Sequence, residues 1–216
     1  MAGSQRSTIF GGEAERYDRF RPSYPAEIID RLVEHRPAVA VDAGCGTGKA
    51  ARLVVERDVA VVGVEPDHRM AAIARRYGID VTVSTLEDWD AIECDLMYSA
   101  QAWHWFDPLR GAQVAAVSIR PGGQWAAFWN YESDESFASA RDGVYRQLSP
   151  DLLDQHASSH EDEFRATIAH GLESTGAFGE LVVDDVAWTD HVTVADAVER
   201  LASHSHHRLL EPDLAA

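Results

Sequence analysis

Between Val39 and Trp129 short apolar runs alternate with longer helix-patterned stretches, five times over. The first switch is made by a glycine loop, Asp42-Ala43-Gly44-Cys45-Gly46-Thr47-Gly48. The apolar runs are Val39–Val41, Val59–Val64, Ile79–Ser84, Asp95–Ser99 and Gln124–Trp129. Runs that are apolar throughout, without polar alternation, are buried on both faces, as in a parallel sheet covered by helices. Helices are expected over Ala26–His35, Thr47–Arg57, Asp67–Tyr77 and Leu109–Ile119. Asp67 is placed to cap the third of these and Gly78 to stop it. The fold class is therefore α/β, a Rossmann-like parallel sheet sandwiched by helices.

Past Asn130 the pattern changes. Residues 131–163 are polar and mostly helical in tendency, Phe164–Glu173 reads as a helix, Leu181–Val194 as a late strand, and Val194–Ser203 as a helix. No repeat or low-complexity linker separates these parts, so one domain over 1–216 is expected. Within it, 1–37 hold an N-terminal segment and first helix, 38–130 a ligand-binding core, and 131–216 a helical insert, the late strand and a short C-terminus.

The glycine loop sits between a buried strand and a helix, where glycine lets backbone approach a ligand closely. Glu65 closes the next strand. In a parallel sheet the carboxyl ends of adjacent strands lie side by side at the ligand crevice, and a carboxylate there suits a ribose diol. A P-loop is disfavoured: its first glycine position is Ala43, and Ala50 replaces its magnesium-binding hydroxyl. A dinucleotide site prefers G-x-G-x-x-G, and the spacing here is G-x-G-x-G. A glycine turn with no ligand also stays open on the loop alone.

The stretch from Tyr17-Asp18-Arg19-Phe20-Arg21-Pro22-Ser23-Tyr24-Pro25 through the glycine loop and Val62-Gly63-Val64-Glu65-Pro66 to Gly122-Gly123-Gln124-Trp125 resembles the class I S-adenosylmethionine-dependent methyltransferases. It is most similar to their type 11 branch, which includes trans-aconitate methyltransferase-like enzymes. The resemblance implies S-adenosyl-L-methionine as methyl donor and S-adenosyl-L-homocysteine as product. It implies that Gly44, Cys45 and Gly46 line the donor's amino-acid end, with Asp42 organising the loop and Glu65 holding the ribose. Pro66 and Met70 would pack by the adenine, and Thr85 and Leu86 would follow its edge. Thr85 stands where many relatives carry aspartate, so Leu86 would contribute through its backbone. Ser99, Ala100 and Gln101 would lie under the sulfonium, and Tyr17 and Arg21 would form a lid, aromatic faces attracting cations.

Large rings cluster in two loops that follow the fourth and fifth strands. Trp103, Trp105, Trp129, Asn130 and Tyr131 are expected to wall an acceptor pocket. His104 is the histidine of this cluster, and its ordinary pKa near ~6.5 suits a general base, or it holds the loop by hydrogen bonds. A carboxylate acceptor would need no base; a phenol, amine or carbon acceptor would.

The formal net charge of −17 argues against a polyanionic substrate. No apolar run is long enough to cross a bilayer and no secretory leader is evident, so a cytoplasmic protein acting on a small molecule is expected. Cys45 and Cys94 read as buried reduced thiols. No metal is expected, although His156/His160 and His204-Ser205-His206-His207 form histidine groups. The resemblance also implies a final helix and an antiparallel last strand. The sequence stops at Leu214-Ala215-Ala216 with no apolar run left to supply that strand, so the usual last strand is expected to be missing, and a homo-oligomer could cover the edge. Three functions follow in order: methyl transfer to a small organic acceptor, a carboxylic acid or a specialised metabolite; a non-catalytic donor-binding protein; a dinucleotide-dependent oxidoreductase.

Overall fold

The computed structural model describes residues 14–131, 133–148 and 159–203. Its elements in chain order are α1 (Ala14–Phe20), α2 (Ala26–Leu32), β1 (Val39–Ala43), α3 (Lys49–Val55), β2 (Ala60–Val64), α4 (His68–Arg76), β3 (Asp80–Thr82) and β4 (Cys94–Ala100). A single 3-10 turn (Trp103–Trp105) follows, then α5 (Pro108–Ser118), β5 (Ile119–Phe128), α6 (Glu135–Leu148), α7 (Ser159–Ser174) and α8 (Val194–Ala202).

The strands pair in the order β3-β2-β1-β4-β5, every pair parallel. The order reverses between β1 and β4, which opens a crevice at their carboxyl ends. Successive side chains on a strand point to opposite faces, and the core divides accordingly. Ala40, Leu96 and Tyr98 pack with Ile29, Leu32, Val54 and Ala71 from α2, α3 and α4. Val41 and Met97 pack on the other face with Trp103, Ala112, Ala115, Ile168 and Leu172, from the 3-10 turn, α5 and α7. The α/β sandwich expected from the apolar runs is the fold observed.

Two helix starts are fixed by aspartates. Asp67 accepts hydrogen bonds from Arg69 N (2.8 Å) and Met70 N (3.4 Å), and Asp107 from Leu109 N (3.0 Å) and Arg110 N (2.9 Å). Pro108 takes the first position of α5, where its missing N–H costs nothing. That helix begins one residue before the expected Leu109.

Two expectations are corrected. The fifth strand begins at Ile119, where a helix was expected to end, and not at Gln124. Ile119 pairs with Cys94 and Gln124 with Leu96, so Arg120–Gly123 bulge out of register. A Cβ on Gly123 would stand 2.6 Å from Asp95 O, so only glycine fits there. The late strand is not formed: residues 177–193 carry no ladder, and Val182 and Val183 are exposed. Period-2 valines mark extended chain, but a strand also needs a neighbour with open backbone groups. This segment is fastened by side chains instead, Arg31 to Asp184 and Arg200 to Asp190 (2.5 Å).

The first thirteen residues of the N-terminal segment, His156, His204-Ser205-His206-His207 and the place of the last helix and strand lie outside the described residues. The side chain of His160 does too. Among the described residues no helix is long and apolar enough to cross a membrane.

Candidate functional site

β1 delivers the glycine loop to the crevice. Gly44 (φ 73°), Gly46 (φ 55°) and Gly48 (φ 80°) all take the left-handed conformation. Gly44 N and Cys45 N donate to Val64 O at 2.8 and 3.1 Å, stitching the loop to the end of β2. A Cβ on Gly44 would lie 2.5 Å from the Ala102 side chain. The Cys45 sulfur rests on Gly63, where an added Cβ would be 2.6 Å away. Burial pushes the Cys45 thiol well up and the Cys94 thiol to about 11, so both stay protonated and unreactive.

Two acids lie beneath the loop. Glu65, at the end of β2, accepts from Gly46 N (2.9 Å) and Asp67 N (2.9 Å). Its burial pushes its pKa up to about 7, the two amides working the other way. Asp42 on β1 is 1% exposed and sits in register beside Tyr98 of β4. Neither carboxylate oxygen reaches a hydrogen-bond partner among the described residues, and the neighbouring Tyr98 hydroxyl is likewise unsatisfied. Burial pushes Asp42 up to about 8; the Tyr98 hydroxyl beside it opposes this without reaching bonding geometry. Buried polar atoms normally find partners, so the Asp42 oxygens are suited to a polar group of a ligand.

The roof is α1 with the segment that follows it. Tyr17, Arg21, Pro22 and Tyr24 line the cleft from this side; Gly44–Thr47, Lys49 and Ala50 line it from the loop, and Ala100 and Gln101 from the end of β4. The Arg21 guanidinium lies 5.2 Å over the Tyr17 ring, and Tyr24 meets Phe128 edge-on at 5.0 Å. Asp18 on α1 receives Arg52 (2.9 Å) and the Tyr77 hydroxyl (2.9 Å). On the other side α1 is tied to α8 by Arg16–Glu199 (2.5 Å) and by Arg200 donating to Phe20 O (3.2 Å); Arg21 donates to Ser203 O just beyond it (3.3 Å). Gln101 holds a left-handed φ of 60° while its N–H donates to Phe128 O at 2.9 Å. That conformation is uncommon for a side-chain-bearing residue and clusters at functional sites.

Of the residues singled out in the sequence, Tyr17, Arg21, Gly44, Cys45, Gly46, Ala100 and Gln101 line one cleft. Asp42, Glu65 and Ser99 lie buried beneath or beside it. Met70 packs under the loop, its Cε 3.3 Å from where a Gly46 Cβ would stand, with Pro66 half-buried nearby in sequence. Thr85 caps its own turn, Asp88 N donating to its Oγ1 at 3.3 Å. Leu86 is wholly buried in the core and is not among the residues that line the cleft. Lys49, Thr47 and Ala50 were missed as site residues, because the motif drew attention to its glycines and the helix after it read only as packing.

The aromatic wall divides. Trp103 is 2% exposed and edge-on to Trp125 (4.8 Å) and Phe106 (5.5 Å), so it is core and not a pocket wall. Trp105 and Trp129 are half-buried, and Phe164 of α7, not picked out beforehand as a wall residue, meets Trp129 edge-on at 5.1 Å. Asn130 donates to Ser23 O at 3.0 Å, pinning the roof segment, and Tyr131 is largely exposed. Trp129 Nε1 donates to His104 Nδ1 at 3.2 Å. An indole N–H can only donate, so Nδ1 carries the lone pair and the ring proton sits on Nε2. Although one edge of the ring is open to solvent, the surrounding rings push its pKa down to about 4, with the Arg21 charge adding to this. At neutral pH His104 is a neutral hydrogen-bond donor with its one basic nitrogen already engaged, which is poor equipment for the general base that the sequence offered.

Comparison with known proteins decides the family. A methyltransferase-domain family matches residues 41–127, from the glycine loop to the end of the sheet. An uncharacterized methyltransferase of Mycobacterium tuberculosis is 32% identical over 205 residues, 93% of this chain and 78% of that protein. The chain belongs to the S-adenosylmethionine-dependent methyltransferases. A methyltransferase structure from Anaeromyxobacter dehalogenans superposes with a TM-score of 0.52 at 30% identity, over 61% of this chain and 60% of that one, less than two thirds of its length. The trans-aconitate 2-methyltransferase of Mycolicibacterium gilvum is 27% identical over 113 residues, 51% of this chain and 44% of that protein. Membership in this methyltransferase family sets aside the dinucleotide and P-loop readings of the loop.

Proposed function

We propose that this methyltransferase acts on a small organic acceptor that carries a carboxylate, and that the carboxylate oxygen receives the methyl group. The observation that carries the reading is the Trp129–His104 hydrogen bond, which leaves His104 no free basic nitrogen. An acceptor that must lose a proton during transfer would find no base in the histidine of the aromatic wall. A carboxylate is ionised already, and its methylation is a displacement that needs alignment and exclusion of water.

The residues present fit the donor. Gly44 and Gly46 let the loop pack on Ala102 and Met70, where a Cβ would crowd, while they line the cleft, and Asp42 offers two unsatisfied oxygens beneath the loop for the donor's amino group. Glu65 retains a second lone pair on each oxygen for the ribose hydroxyls. Pro66 and Met70 would pack by the adenine, Thr85 would flank its edge, and the Leu86 backbone would contact it. Tyr17 would cover the sulfonium, with Ser99, Ala100 and Gln101 beneath. When bound, the donor supplies an electrophilic methyl group on a positively charged sulfur. Arg21 lines the cleft with its guanidinium 5.2 Å over the Tyr17 ring, near enough to His104 for its charge to be felt there. Arg21, expected as part of the lid, would there meet the acceptor's carboxylate. Trp105, Trp129 and Phe164 would hold the acceptor's apolar part, with the His104 Nε2–H as a donor to it.

The acceptor is a small molecule in this reading because a net charge of −17 opposes a polyanion. Incubation with labelled donor and a panel of carboxylic acids and phenols tests it, with products identified by mass spectrometry. Methyl esters are expected and aryl ethers are not. Turnover of phenols alone would overturn the acceptor class, and donor binding without turnover of any acceptor would favour a non-catalytic binding protein.

A further inference from the structure

The chain holds eighteen arginines and a single lysine, Lys49. It follows Gly48 directly, is half-buried, and lines the cleft on the glycine-loop side. Among the described residues no hydrogen bond or ion pair holds its ammonium. The acid that acts on it is Asp18, whose two oxygens are taken by Arg52 and Tyr77. Arg52 and Arg200 add further positive charge around it. A partly desolvated ammonium beside two other cations is unfavourable until an anion completes the group.

We infer that Lys49 binds the carboxylate of the donor's amino-acid end. The inference rests on reading this cleft as the donor site. Asp42 supplies the opposite pole: it lies buried beneath the same loop with both oxygens unsatisfied. Asp42 at the start of the loop and Lys49 just after its end offer opposite charges to a zwitterion, amino group toward Asp42 and carboxylate toward Lys49. Arg21 is the rival cation, but its charge is felt at His104 in the acceptor half, and that of Lys49 is not. Burial, the leading influence on Lys49, lowers its pKa in the empty cleft, and a bound carboxylate would raise it again.

Calorimetry with S-adenosylhomocysteine and with its decarboxylated analogue, which keeps the amine but lacks the carboxylate, tests this. Lys49→Met is expected to weaken S-adenosylhomocysteine by about tenfold or more, the scale of a lost charge-assisted hydrogen bond. The same substitution should leave the decarboxylated analogue within about twofold, and Lys49→Arg should restore most of the loss. Equal losses for both ligands, or no loss for either, would overturn the inference while the donor site stood. Failure of the unsubstituted protein to bind S-adenosylhomocysteine would overturn the donor site itself. A second measurement needs no substitution. Reductive methylation with 13C-formaldehyde labels Lys49 and the terminal amine alone. The Lys49 resonance should move with S-adenosylhomocysteine and stay in place with the analogue, and the same movement with both would count against the carboxylate contact.

Discussion

Glu65 Oε2 accepts the Gly46 N–H at 2.9 Å while its other oxygen accepts the Asp67 N–H at 2.9 Å, so one side chain fastens the glycine loop to the turn that caps α4. The residue proposed for the ribose is also the brace of the loop. Glu65→Ala strands two amides, at about 1–3 kcal/mol for each one left buried. Thermal stability and affinity for S-adenosylhomocysteine should therefore fall together, the affinity by more than about tenfold. Glu65→Gln keeps one carbonyl acceptor and should recover more of the stability than of the affinity. Thermal melts and calorimetry separate the two, and unchanged affinity in Glu65→Ala would place the ribose elsewhere.

Asp42 and Glu65 titrate near 8 and 7 in the folded chain, above the ordinary carboxylate range. From about pH 4 up to those values the native state holds protons that the unfolded chain has released. Stability of the ligand-free protein should accordingly decline as pH rises from 5 to 8. A cationic ligand group over Asp42 favours its ionised form, so donor binding at pH 7 should expel close to one proton. Calorimetry in two buffers of different ionisation enthalpy counts it. Asp42→Asn should abolish the release, and proton uptake by the unsubstituted protein would contradict the pairing.

His104→Gln removes the ring and preserves a hydrogen-bond donor. Turnover of a carboxylate acceptor is expected to stay within about tenfold, because a missing general base typically costs 100-fold or more. At saturating donor the pH profile between 6 and 8 should be the same in His104→Gln as in the unsubstituted protein. A loss beyond 100-fold, with an inflection near pH 6–7 in the unsubstituted protein, would reinstate His104 as a base.

Asp18 anchors the roof through Arg52 and Tyr77, and the pair with Arg52 is mostly shielded from solvent. Asp18→Asn should loosen α1, weaken donor binding by several-fold and speed its release, with little change in melting temperature. Stopped-flow displacement of bound S-adenosylhomocysteine reads this. Slower release would mean that the roof does not close over the ligand.

Gly63→Ala would drive a methyl group to within 2.6 Å of the Cys45 sulfur. The loop cannot retreat without giving up its bonds to Val64. A loss of about 1–3 kcal/mol is expected, as for overpacked cores, with partial recovery in the double variant that adds Cys45→Ala. Additive losses in urea titrations would show that the two residues are not in contact.

The sheet was readable because buried parallel strands leave uninterrupted apolar runs, and Val39–Val41 or Val59–Val64 have no other comfortable home. The glycine loop and Glu65 were readable because their chemistry is local: backbone freedom in one and the end of a strand in the other. Leu181–Val194 misled because a strand is a relationship between two segments, and alternation of valines reports only one of them. Trp103 and Trp129 look equivalent in the sequence, each an indole in a loop after a strand. Packing beneath α5 and α7 buries the first and leaves the second half-buried against Phe164. Lys49 could have been found from its being the one lysine, a signal of composition that periodicity does not carry.

The roof of the cleft joins Arg16 to Glu199 across 183 positions, one of the longest spans in the described fold. The five strands and the glycine loop are complete by Phe128, long before α8 is made. During synthesis the floor of the site can therefore form while its cover still lacks the helix it is tied to. Tight retention of the donor becomes a late property of the nascent chain, acquired when Val194–Ala202 leaves the ribosome and finds α1.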